Sequence, residues 1–144
     1  MKYLFCFCLT ICAFALYAQT PYRQKVYAFV QRQENNEARH FIYIEMPMDS
    51  IPIWDSAIID QKKYVVHFSV VETMPMRVGA RKSDKRMVVI KATPDTKMWM
   101  AEMDATTDPI SATDAASTAA VLFKGKFKGR KISYKILTEV ELDD

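Results

Sequence analysis

The stretch Val121-Leu122-Phe123-Lys124-Gly125-Lys126-Phe127-Lys128-Gly129-Arg130-Lys131-Ile132-Ser133-Tyr134-Lys135-Ile136 decides how this chain folds. Val121, Phe123, Gly125 and Phe127 share one parity, and Leu122, Lys124, Lys126 and Lys128 share the other. Beyond Gly129, Ile132, Tyr134, Ile136, Thr138, Val140 and Leu142 alternate with Lys131, Ser133, Lys135, Glu139 and Glu141. Leu137 alone breaks the rule by standing among the lysines. Period-two alternation is the signature of a strand with one face on a core and one face in water. A two-residue turn at Lys128-Gly129 pairs Phe127 with Arg130 and Phe123 with Tyr134. Both apolar faces then lie on the same side; a three-residue loop would put them on opposite sides.

Similar runs recur upstream. Strands are expected at residues 25–33, 39–46, 63–72, 76–82, 86–93, 97–104, 121–128 and 130–142. Turn residues separate them: Glu34-Asn35-Asn36, Ser83-Asp84, Thr93-Pro94-Asp95 and Lys128-Gly129. Residues 46–60, with Pro47 and Pro52, read as a long connection or irregular edge. Residues 108–120 read as a short helix, with Thr113 capping residues 114–120 and covering an open end of the sheet. The fold expected is all-β, an antiparallel sandwich or small barrel of about seven to eight strands, with one short helix before the C-terminal hairpin. In residues 26–30 and 41–46 both faces are apolar. Such strands are covered on both sides, line a ligand-facing interior, or meet a partner.

Residues 1–18, MKYLFCFCLTICAFALYA, place Lys2 before an uncharged apolar run that ends at Ala18. This is the pattern of a secretory signal peptide. The apolar run is about 15 residues, short of the about 20 that a membrane span needs. Residues 19–144 are then a single exported β domain of the bacterial envelope or exterior: periplasm, outer surface or beyond. All three cysteines, Cys6, Cys8 and Cys12, fall inside the leader. The domain after it has no thiol for a disulfide, a nucleophile or a cysteine-ligated metal.

Twenty basic residues face seventeen acidic ones, a net charge of +3, which does not call for nucleic acid as a partner. Basic side chains nevertheless gather on two hairpins: Arg77, Arg81, Lys82, Lys85 and Arg86, and the row Lys124, Lys126 and Lys128. Lysine on a strand commonly keeps a sheet edge soluble. Three glycines leave no phosphate-cradling loop, and no G-x-S-x-G is present. His40 reads as solvated beside a charged turn, and His67 as a hydrogen-bonded wall residue of a strand. Glu102 and Asp104 share a face, with Asp108 just beyond. Two residues along a strand is about 7 Å, within the about 5–9 Å that paired carboxylates of a glycoside hydrolase need. Solvated charge at a strand end is the commoner meaning of such a pair.

Methionine is the unusual component. Six of nine methionines form M-x-M pairs: Met46 and Met48, Met74 and Met76, Met98 and Met100. Thioethers are soft ligands for Cu(I) or Ag(I), and they are also adaptable core fillers. Met98 and Met100, with Met76, Met103 and His67 as further donors and Trp99 beside them, resemble the sites of small periplasmic copper- and silver-binding chaperones. Those proteins use methionines, a histidine and a tryptophan on a β-barrel. On a flat strand Trp99 faces away from Met98 and Met100.

The reading preferred on the sequence is a non-catalytic, cofactor-free exported module that binds a protein, a glycan or a small apolar ligand. A soft-metal chaperone built on the M-x-M pairs is the alternative, and a hydrolase with scattered acidic residues is the second alternative.

Overall fold

The computed structural model describes residues 24–34, 37–48 and 51–143. The leader expected over residues 1–18 lies outside the described residues. Among the described residues, ten strands and one helical turn follow in chain order. They are β1 (Lys25–Arg32), β2 (Ala38–Pro47), β3 (Ile53–Ile59), β4 (Lys62–Val70), β5 (Met76–Ala80), β6 (Met87–Ile90), β7 (Thr96–Thr106), α1 (Ala112–Ala115), β8 (Val121–Phe127), β9 (Arg130–Ile136) and β10 (Val140–Leu142). Eight of the strands form one sheet in the order β10-β1-β2-β7-β4-β3-β8-β9, curled into a half-barrel. β5 and β6 form a separate two-stranded sheet. The all-β reading holds.

The C-terminal hairpin has the register its alternation demands, Phe127 opposite Arg130 and Phe123 opposite Tyr134. Lys128 and Gly129 both have positive φ, 48° and 76°, as a two-residue turn matched to the strand twist requires. The same device joins β3 to β4, where Asp60 and Gln61 have φ of 48° and 60° between the paired Ile59 and Lys62.

Residues 46–60 overturn the expectation of a connection. They contain β3, which sits inside the sheet between β4 and β8. A bulge between Trp54 and Ser56 inserts one residue. Trp54, Ala57 and Ile59 therefore all reach the core although they do not share a parity. The bulge hides the period-two signal that would have revealed the strand.

The expected single strand over residues 130–142 is also corrected. β9 ends at Ile136, and the chain crosses to the far edge of the sheet, where β10 pairs with β1 in parallel. That pair is the exception to an otherwise antiparallel sheet. β10 also bridges to the small sheet: Arg81 pairs with Leu142, the Lys82 amide donates to the Glu141 carbonyl, and the Asp143 amide donates to the Ala80 carbonyl. Ion pairs Lys82–Glu141 and Lys85–Asp143 reinforce this junction.

Two apolar clusters result. Side chains from both ends of the sheet, including Ile42, Trp54, Ala101, Phe123 and Ile136, meet in one inner cluster. Only a concave face allows strands so far apart in the order to touch. Trp54 stacks at a tilt on Phe123 and Tyr134, with centroids 5.9 and 6.3 Å away. The second cluster joins Phe29, Tyr43, Met98 and Leu142 to Val78, Val88 and Ile90 of the small sheet. The two-faced apolar strands β1 and β2 are thus covered on both sides.

The helix is shorter than expected and begins earlier. Ser111, not Thr113, is the cap, and its hydroxyl accepts from the Asp114 amide. The segment lies beside Ile58 and Leu122 and the Asp60-Gln61 turn. It buries Leu122, which parity alone places among exposed lysines. Asp114 holds Lys124 at 2.6 Å, so Lys124 leaves the solvated row.

Candidate functional site

Closing a sheet into a barrel requires its first and last strands to pair. Here they pair with each other nowhere: β9 pairs only with β8, and β10 covers only Phe29, Val30 and Gln31 of β1. Among the described residues, the outer edge of β1 before Phe29 and the whole outer edge of β9 carry no ladder partner. β6 likewise pairs only with β5.

These three edges border one groove of about 450 Å³, within the range of about 300–1,000 Å³ typical of ligand pockets. Its walls are residues 26–29 of β1, 88–90 of β6 and 134–138 of β9 and the chain after it, with Arg81 and Val140. Consecutive residues line it on each side. A strand face would contribute every second residue, so the groove meets strand edges, with their backbone N–H and C=O groups. Part of the apolar wall is exposed, Leu137 at 69 % and Val89 at 45 %, while Phe29, Ile90 and Ile136 are buried. Arg81 and Lys135 are the only charged residues of the lining, and both are cationic. Arg81 lies 3.3 Å from Asp84, whereas Lys135 has no ion pair among the described residues.

Two polar anchors hold the walls. His40, expected to be solvated, is instead mostly buried. Its Nδ1 lies 2.8 Å from Oε1 of Glu139, with side chains 12 % and 8 % exposed. This contact pins the crossover between β9 and β10 to β2. Glu45 pins the other wall. Its carboxylate accepts from the Thr93 amide at 2.6 Å, the Thr96 hydroxyl at 2.7 Å, and the Thr93 hydroxyl. That fixes the turn between β6 and β7. Burial alone would raise the Glu45 pKa. The Thr93 and Thr96 hydrogen bonds and the Lys25 charge outweigh it, and the carboxyl sits below its ordinary value.

The residues singled out for metal chemistry divide between two faces. Met98 and Met100 pack with Met74 and Met76 in the outer cluster. Met103 packs in the inner one, as does Trp99. His67 is 63 % exposed and stands 3.8 Å from Asp104, too far for the hydrogen bond expected of it. The set Met98, Met100, Met76, Met103 and His67 is therefore not brought together as a whole. Met46 is buried in the inner cluster and Met48 is exposed, so that pair faces both ways.

The acidic residues singled out for catalysis, Glu102, Asp104 and Asp108, lie on exposed surface. Glu102 accepts from the Ser69 hydroxyl at 2.8 Å, and Asp108 from Lys63 at 3.0 Å. The Lys63 hydrogen bond and charge hold Asp108 below the ordinary carboxylate range.

The sequence carried one trace of the groove, Leu137 on the lysine face. The buried His40–Glu139 contact and the Glu45 cluster join residues 99 and 48–51 positions apart, and left no local signal. No family model matches the chain, and no curated protein or solved structure matches it.

Proposed function

We propose that this protein is an exported, non-catalytic binding module and that the groove between β1 and β9 is its binding surface. The observation that carries the reading is the unclosed seam. Three unpaired strand edges border an apolar groove whose only charges are cationic. Exposed unpaired edges are a hazard that folds commonly blunt or cover, so a retained apolar seam has a use as a recognition surface. The groove supplies contact area and hydrogen-bonding groups, and its lining holds no histidine, cysteine, serine or carboxylate. The export part of the reading rests on the uncharged run to Ala18.

The test is a titration with 1-anilinonaphthalene-8-sulfonate, an apolar anion, on the wild type and on Leu137→Asp. Leu137 is exposed, so the variant keeps its fold and its denaturation midpoint. Saturable one-site fluorescence, weakened at least about tenfold by the substitution, supports the reading. Absence of saturable binding, or binding indifferent to Leu137→Asp, contradicts it. For export, mass spectrometry of the secreted chain is expected to show a terminus at Gln19, free or cyclised. A retained Met1 contradicts that part.

One observation favours a second reading, soft-metal binding: Met74, Met76, Met98 and Met100 gather in one cluster. Saturable one-to-one Ag(I) binding, abolished by Met98→Ala with Met100→Ala, would promote it.

A further inference from the structure

We infer that the natural occupant of the seam is an extended peptide segment of another protein, rich in β-branched residues and carrying carboxylates. It adds as a strand to the open edge of β1 or β9. The inference rests on the binding reading above and names its ligand.

Backbone polarity selects the ligand class. The groove wall is made of consecutive residues on three strands, each with an unpaired edge. An alkyl chain laid there would desolvate N–H and C=O groups without replacing their hydrogen bonds, a cost incurred for each one left unmade. A peptide in extended conformation presents the matching donors and acceptors, as in strand addition to an exposed sheet edge. Its alternate side chains would rest on Val89, Tyr134, Leu137 and Val140.

Charge selects the sequence class. Lys135 lines the groove with no ion pair among the described residues, Arg81 lines it while paired with Asp84, no carboxylate lines it, and Arg130 and Lys131 continue the cationic edge of β9. Acidic residues on the incoming strand are therefore attracted. The same charges oppose a second copy of this chain: pairing two β9 edges would set one cationic row against another, and like charges facing across a ladder destabilise it.

The experiment uses isotopically labelled protein and four arms. The first is a short acetylated peptide of alternating valine and threonine with aspartate at both ends. The second is the same peptide N-methylated at alternate residues, which removes edge hydrogen bonds and keeps the charge and apolar side chains. The third is dodecanoate, an anionic amphiphile with no peptide backbone. The fourth is the protein alone over a concentration series in sedimentation. Expected are saturable binding of the first peptide and chemical-shift changes at residues 25–29 and 134–138. Also expected are slowed exchange of the outward-facing amides there and at least about tenfold weaker binding of the N-methylated peptide. Lys135→Glu should weaken the first peptide severalfold without altering the exchange of β3 and β8. Equal affinity for both peptides overturns the inference, because backbone pairing is then not the source of binding. Dodecanoate binding at the seam without peptide binding also overturns it and leaves the seam as a binding surface. A dimer that protects the same amides overturns it in favour of a second copy. No binding in any arm and no dimer overturns both the inference and the binding reading.

Discussion

The chain has three glycines, and adding one methyl group to each in turn examines three different features of the fold. A Cβ on Gly125 would lie 2.0 Å from the Ile53 carbonyl oxygen and 2.9 Å from the Ile53 carbonyl carbon and Trp54 Cα. Those atoms are backbone at the β3 bulge, so no side chain can rotate away. Non-bonded contacts are optimal at about 3.5–4.0 Å, so β3 must move by more than an ångström. That movement would disturb Trp54, which fills the inner core. Overpacking commonly costs about 1–3 kcal/mol. With a rigid neighbour, Gly125→Ala should reach the top of that range or exceed it, about 3 kcal/mol or more.

Gly129 is different. Nothing lies within 4 Å of its added Cβ, but φ is +76°. The cost of Gly129→Ala is then the left-handed backbone penalty alone, about 1–2 kcal/mol. At Gly79 the nearest atom is Leu142 Cδ1 at 3.5 Å, an ordinary contact, and Gly79→Ala should be near neutral. Urea titration of the three variants reads the series directly, against a total stability of about 5–15 kcal/mol for a domain of this kind. A Gly125→Ala loss below about 1 kcal/mol, or one smaller than that of Gly129→Ala, would refute the close approach of β3 and β8.

Phe123 is fully buried in the inner cluster, and Phe123→Ala should cost about 3–5 kcal/mol on denaturant titration. Gln61 sits at φ 60° in a two-residue turn, so Gln61→Gly should raise stability, by about 0.5–1 kcal/mol, in a thermal melt. Glu45 has a carboxyl pKa lowered in the fold from its ordinary 4.5. Its contribution is therefore complete above that value and is lost as pH falls through the lower folded one. The gap in urea midpoint between wild type and Glu45→Gln should be constant near neutrality and shrink below pH 4.5; a gap that widens on acidification would contradict the assigned direction.

Alternation makes a strand readable when the chain keeps strict register, and the C-terminal hairpin does so from Val121 to Ile136. The bulge at Asp55 puts Trp54 and Ala57 on one side although they are three residues apart. That spacing does not match strand parity, and the prolines at 47 and 52 do not match the composition expected of an interior strand. Leu137 apart, the residues of β10 continue the alternation of β9, so that one residue is the only local mark of the point where the chain leaves one edge for the other. The crossover is set by contacts distant in sequence, Glu139 to His40 and Lys82 to Glu141. Beyond Leu137 the groove is equally illegible, because a seam is defined by strands that fail to meet. The methionine faces were legible in part. Parity placed Met98 and Met100 together and Trp99 opposite, as the two clusters have them. Parity within β7 also sets Met103 with Trp99, which separates it from that pair.

The open seam is tested most directly by residue-resolved amide hydrogen exchange on the free protein. In an edge strand of an antiparallel pair, every second amide points away from its neighbour. β9 is therefore expected to alternate between slow amides bonded to β8 and fast amides facing the groove. The amides of residues 25–28 that face away from β2 should be fast as well, while β3, between two partners, should be slow at both sets of amides apart from its bulge. Uniformly slow exchange along β9 and the first half of β1 would mean that the two strands pair and the barrel is closed, which would contradict the open seam and the binding surface built on it.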